Sequence, residues 1–199
     1  MSMSAKTESE DAFEIFCKDN GLSWERIDEG SEPSPDYVLQ IVGGTKIYVE
    51  IKQIDDDKNF SEAIATRSPG SHIRTKINQA RNQIRAPARQ GFPTVLLIYN
   101  NLDPLQMFGT EQHDFLAAMY GDLTVNVAST GNWRSKMFHG RNRSFRECKN
   151  DSFSAVGWLY RRQTGIAVHL YENMYARVPL DFSSLPSCFS FNYVKVKDD

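Results

Sequence analysis

Pro35-Asp36 stands fourteen residues before Glu50-Ile51-Lys52, and the residues between them read as two strands joined by Gly43-Gly44. In the second arm Ile47, Val49 and Ile51 alternate with Lys46, Tyr48, Glu50 and Lys52, the period of a half-buried strand. Glu50 and Lys52 therefore project from one face, one pleat apart. Two carboxylates and a backbone carbonyl, that of Ile51, make an oxygen set suited to a hard cation such as Mg²⁺, with Mn²⁺ as a substitute. An ammonium beside them would orient a water or offset developing negative charge, and it keeps two close carboxylates ionised. That combination suits hydrolysis of a phosphodiester.

The geometry depends on the turn. A two-residue Gly43-Gly44 turn would set Asp36 opposite Ile51 and point its side chain away from Glu50 and Lys52. A three-residue loop or a bulge restores the phase, and glycine at a left-handed position favours such a loop. An irregularity of this kind is predicted.

The surrounding elements follow from pattern. Thr7-Glu8-Ser9-Glu10 has the form of a capping box, with Phe13, Phe16 and Cys17 at helical spacing behind it and Asn20-Gly21 as a stop, so a helix is predicted over 8–19. Leu22 to Ser34 reads as a connection. After Asp55-Asp56-Asp57, a solvated strand end, a loop leads to a helix over 72–86 with Ile73, Ile77, Ala80 and Ile84 on one stripe, ended by Pro87. Thr94 to Tyr99 is an apolar run typical of a central strand buried on both faces. A helix is expected over 111–120, and strands over 123–128, 166–171 and 189–196, while residues 130–152 carry no periodicity. With no repeats and no linker, the 199 residues read as one α/β domain with a mixed central sheet flanked by helices.

Composition bounds the alternatives. The chain is 40% hydrophobic and 24% charged, with a net charge of −2, as expected of a water-soluble globular protein. No apolar run reaches the length of a bilayer span, and the polar N-terminus does not read as a signal peptide. Cys17, Cys148 and Cys188 are scattered without paired spacing, which argues against a disulfide framework or zinc site and for a reducing cytoplasm. Residues 1–60 hold six basic against fourteen acidic side chains, and residues 61–199 hold seventeen against eleven. An acidic part that binds cations beside a basic part that meets phosphates fits this division. His113 and His169 show no catalytic spacing, and no Ser-His-Asp order, phosphate-binding glycine loop or dinucleotide fingerprint is present.

Pro35-Asp36…Glu50-Ile51-Lys52 resembles the motif of the PD-(D/E)xK nuclease superfamily, and the order helix, motif-bearing hairpin, helix, apolar strand over residues 8–99 is similar to that family's core. The resemblance implies a restriction-endonuclease-like fold and Mg²⁺-dependent cleavage of nucleic acid, DNA before RNA by family frequency. It implies Asp36, Glu50 and the Ile51 carbonyl as metal ligands and Lys52 as the residue acting on the water or transition state. Members often carry a glutamate on the first helix that reaches the metal, which implies Glu14 here, with Glu10 as second choice. A polar or basic residue on the following helix implies Lys76 or Gln79. Many relatives work as homodimers. The rival expectation is a catalytically silent protein of the same fold that binds nucleic acid or a protein partner.

Basic side chains mark where a nucleic acid would lie. Arg74, Arg81 and Arg85 flank the apolar stripe of the second helix. Residues 131–149 hold Arg134, Lys136, Arg141, Arg143, Arg146 and Lys149 against the single acid Glu147, with Trp133, Phe138 and Phe145 interleaved. Such cations neutralise phosphates and such rings stack on unpaired bases.

Overall fold

The computed structural model describes residues 6–28, 30–41, 43–55, 68–102, 106 and 108–194. Asp56, Asp57, most of the loop before Ser71, and residues 195–196 of the last expected strand lie outside the described residues.

The first helix, α1 (Glu8–Asp19), begins as the sequence predicts: the Thr7 hydroxyl caps the Glu10 amide and the Glu10 carboxylate returns to the Thr7 amide at 2.7 Å. The short strand β1 (Ser23–Arg26) follows, in a stretch whose sequence reads as connection. The hairpin is β2 (Tyr37–Gln40) and β3 (Lys46–Ile54). The helix expected to run to residue 86 is two pieces, α2 (Ser71–Ala80) and α3 (Arg85–Arg89). Pro87 ends neither piece, because it sits in the first turn of α3, where a missing amide proton costs nothing.

Strand β4 (Thr94–Asn100) is buried at every position, as its unbroken apolar run requires. Then come α4 (Gln112–Tyr120), β5 (Leu123–Thr124), β6 (Phe138–His139), β7 (Ala155–Arg162), β8 (Gly165–Glu172) and β9 (Phe189–Asn192). The expected strand over 123–128 is thus only two residues of regular ladder, and β7 occupies a stretch that the pattern does not single out.

Seven strands form one mixed sheet in the order β1-β2-β3-β4-β7-β8-β9, with β5 and β6 paired separately. Strands β3, β4 and β7 run parallel, joined to antiparallel β1-β2 on one side and antiparallel β8 on the other. Helices cover both faces. On one, Phe13, Phe16 and Cys17 of α1 bury Val49, Ile51 and Leu97. On the other, Ile73 and Ile77 of α2 and Phe115 and Met119 of α4 bury Ile54, Leu96 and Ile98. This is an α/β protein with a mixed sheet between helical layers. No helix among the described residues is long and apolar enough to cross a membrane.

Candidate metal and phosphodiester site

The hairpin has the irregular turn that the site needs. Tyr37 faces Val49 and Gln40 faces Lys46, and the Ile41 amide donates to Thr45 at 3.0 Å, so the closing pair of the hairpin, Ile41 and Thr45, is separated by three residues. Gly43 and Gly44 have φ of +90° and +81°, values that side chains rarely adopt. Continued by one pair, this register sets Asp36 opposite Glu50, and opposed residues share a face.

Asp36 lies where the β2–β3 ladder ends. Its Oδ2 accepts the Ile51 amide proton at 2.7 Å, so the carboxylate replaces the carbonyl that a longer β2 would have offered. The Tyr48 amide donates to Pro93 O and Ile54 O accepts from Asn101, both on the β4 side. By alternation, the backbone groups of Ile51 turn to the β2 side, where Asp36 waits. The Ile51 carbonyl therefore shares an edge with the Asp36 carboxylate.

Glu50 is 1% exposed. Lys52 Nζ lies 2.5 Å from its Oε1 as an ion pair, yet neither carboxylate oxygen has an aligned hydrogen-bond partner among the described residues. Burial first, and then repulsion by Asp36, push the Glu50 carboxyl up to about 7. The opposing pull of Lys52 is the weaker effect, so the pocket favours a neutral acid until more positive charge arrives. Asp36 is also raised by burial, against the Ile51 hydrogen bond and Lys52. Burial and mutual repulsion of this carboxylate pair outweigh the pull of Lys52 and Arg26, so a further cation would relieve it. Its oxygens, with the Ile51 carbonyl, fit a divalent hard ion.

Lys76 of α2 is the helix residue that approaches this group. Burial lowers its pKa, and among charges Asp55 raises it and Lys52 lowers it. Gln79 is exposed. Glu14 is not brought to the site. Tyr37, one residue on from Asp36, points to the opposite face, and its hydroxyl donates to Glu14 at 2.9 Å while Lys6 lies 2.5 Å from the other oxygen. Glu10 is nearer in effect, contributing to the rise of Asp36, but its carboxylate serves the α1 cap and accepts from Arg26 at 2.6 Å. Arg26, on the unanticipated strand β1, is a cation of this neighbourhood that the sequence pattern does not reveal, since four residues carry too little alternation.

The other expected contacts divide. Arg74 is engaged internally, donating to Ala117 O, Pro69 O and Asp122 at 3.0, 2.7 and 3.3 Å. Arg81 and Arg85 line a cleft with Lys149. Arg134, Lys136, Arg141 and Arg143 are exposed, whereas Phe145 is fully buried and serves the core. His169 is a strand residue bonded to Ser190 at 2.8 Å, and the three cysteines are free thiols. Glu111, His113 and Asp114 approach one another closely enough to hold an ion, and one Asp114 oxygen accepts from the Gly70 amide at 2.8 Å. No family model matches the chain, and no curated protein or solved structure matches it.

Proposed function

We propose that this protein is a Mg²⁺-dependent nuclease that hydrolyses phosphodiester bonds of nucleic acid, DNA before RNA, on a PD-(D/E)xK-like core. The observation that carries the reading is Glu50: a fully buried carboxylate facing Asp36, paired with the Lys52 ammonium at 2.5 Å, yet held well above its ordinary pKa by burial and by Asp36. Burying such a group without a full set of partners costs several kcal/mol, a cost with no structural return on an ordinary hairpin. It is repaid if the pocket holds a cation.

Asp36, Glu50 and the Ile51 carbonyl would hold the ion, with Mn²⁺ able to replace Mg²⁺. When bound, it would supply charge neutralisation at the phosphate and acidify a water. The chain's own residues do the rest. The Ile51 amide fixes the Asp36 carboxylate. Lys52, 25% exposed and anchored on Glu50, presents an ammonium proton to the attacking water or to the phosphate oxygens as charge builds on them. Lys76, half-buried on α2, would add a further cation. Water oxygen bonds to phosphorus as the ester P–O bond breaks, the attacking water's proton passes to solvent, and the leaving oxygen takes a proton from solvent. The exposed Arg81, Arg134, Lys136, Arg141 and Arg143, with the half-buried Arg85, would hold the flanking phosphates.

Titration calorimetry with Mg²⁺ and Mn²⁺ tests the metal site directly. Wild type should bind, and Glu50→Gln should lose binding while remaining folded. Equal binding by both proteins would remove Glu50 from the site.

A further inference from the structure

The expected strand over 123–128 pairs with the first part of the segment expected to be aperiodic, and the two form a β-ribbon. Leu123 pairs with His139 and Thr124 with Phe138, Val127 bridges Arg134, and the Ala128 amide donates to Trp133 O at 2.9 Å before the turn closes. Its surface is unusual. Nine large apolar side chains are exposed among the described residues, and five of them (Leu123, Val125, Val127, Trp133 and Met137) lie on this ribbon. Leu123, Val125 and Val127 stand on its first arm, and Trp133 and Met137 on its return arm. Apolar clusters exposed in this way mark a surface with a partner.

Charge selects the partner. From Leu123 to Arg146 no acidic residue occurs, while Arg134, Lys136, Arg141, Arg143 and Arg146 do. At the ribbon's base the cations continue. Lys149 lines one cleft with Arg141, Arg143 and Arg146 and a second with Arg81 and Arg85. A second copy of the ribbon would set like charges together. A polyanion would not.

We infer that this ribbon is a DNA-docking arm that enters the major groove of B-form duplex DNA. Its apolar side chains would lie on base edges and thymine methyl groups, and its flanking cations on the phosphates. The major groove of B-DNA admits a two-stranded ribbon, whereas that of duplex RNA is too deep and narrow for side chains to read. The inference rests on the nucleic-acid reading above, but not on catalysis.

The test is fluorescence anisotropy of the full chain in EDTA with a labelled DNA duplex, the matching single strand and the matching RNA duplex. Duplex DNA should bind about tenfold or more tightly than the other two. Val127→Asp and Met137→Asp, both at exposed positions, should each lose about tenfold on duplex DNA. Arg134→Ala with Lys136→Ala should reduce the salt slope by roughly 2. Circular dichroism confirms that each variant folds. Equal affinity for RNA duplex or single strand, or unchanged binding by the variants, overturns the arm. So does a finding that the same variants instead abolish self-association or binding to anionic vesicles. Since EDTA removes catalysis, an arm that binds in a protein that never cleaves defeats the nuclease reading alone. Cleavage that survives with no ribbon effect defeats the arm alone.

Discussion

The Asp36 carboxylate holds the Ile51 amide at 2.7 Å, and this bond joins the end of one strand to the middle of the next. It fixes a metal-ligand candidate with a backbone proton and leaves the buried carboxylate of Glu50 across the pleat. The bond also makes Asp36 structural. Asp36→Ala strands a backbone donor, at a cost of about 1–3 kcal/mol, while Asp36→Asn keeps an acceptor oxygen. Thermal unfolding should therefore show Asp36→Ala melting roughly 2–10 °C lower, with Asp36→Asn close to wild type. Both should fail to bind Mg²⁺. Equal melting of the two variants would dissociate the bond from stability.

Glu50 predicts a pH signature. Its carboxyl is raised from 4.5 to about 7, so its contribution to stability is fully present below its ordinary value and is lost as pH rises through about 7. In EDTA, Glu50→Gln should be more stable than wild type at pH 8, by roughly 2–6 °C in Tm, and should lose that advantage near pH 5. Mg²⁺ should stabilise wild type more at pH 8 than at pH 5, where protons compete for Glu50, and should not stabilise the variant. Differential scanning fluorimetry across pH reads all three effects.

Glu14 faces Tyr37 and Lys6 rather than the Asp36–Glu50 pair. Glu14→Gln should leave the cleavage rate within about threefold of wild type, far short of the hundredfold typical of a lost transition-state contact. A hundredfold fall in single-turnover rate would restore Glu14 to the site.

Arg74 and Arg81 separate stability from affinity. Arg74 ties α2 to the end of α4 through Ala117 O and Asp122 and also donates to Pro69 O just before α2, so Arg74→Ala should lower Tm, with DNA affinity unchanged once folding is matched. Arg81 is exposed in the cleft shared with Lys149. Arg81→Ala should keep Tm and weaken DNA binding, with the salt slope reduced by roughly 1. Anisotropy beside thermal melts distinguishes the two.

The hairpin and its phase were legible because β-alternation and a glycine pair are local signals, and the three-residue loop followed from what Asp36 needed. The apolar run of β4 was legible for the same reason. Strand β7 was not. It is buried on both faces near its start, interrupted by Gly157 and finished by Arg161 and Arg162, so it presents neither alternation nor a clean run. Its burial comes from pairing with β4 and β8, which no local window contains. Pro87 looked like a stop because proline breaks helix interiors, but only the structure reveals a new helix starting two residues before it. The placement of Glu14 failed through alternation itself: Asp36 and Tyr37 are neighbours in sequence and point to opposite faces. The first arm of the ribbon was legible as a strand over 123–128, but the return arm at 134–139 was not, because basic and aromatic residues mix there without apolar alternation.

Cleavage of a substrate panel in Mg²⁺ or Mn²⁺ bears most directly on the central claim. The panel would hold single-stranded, duplex, flapped and four-way DNA, together with RNA. Wild type should cut at least one DNA form, with EDTA abolishing cleavage and Lys52→Ala and Asp36→Asn each slowing it by about a hundredfold or more. A folded wild type that leaves every substrate intact in both metals would contradict the account, as would cleavage that the two substitutions leave unchanged.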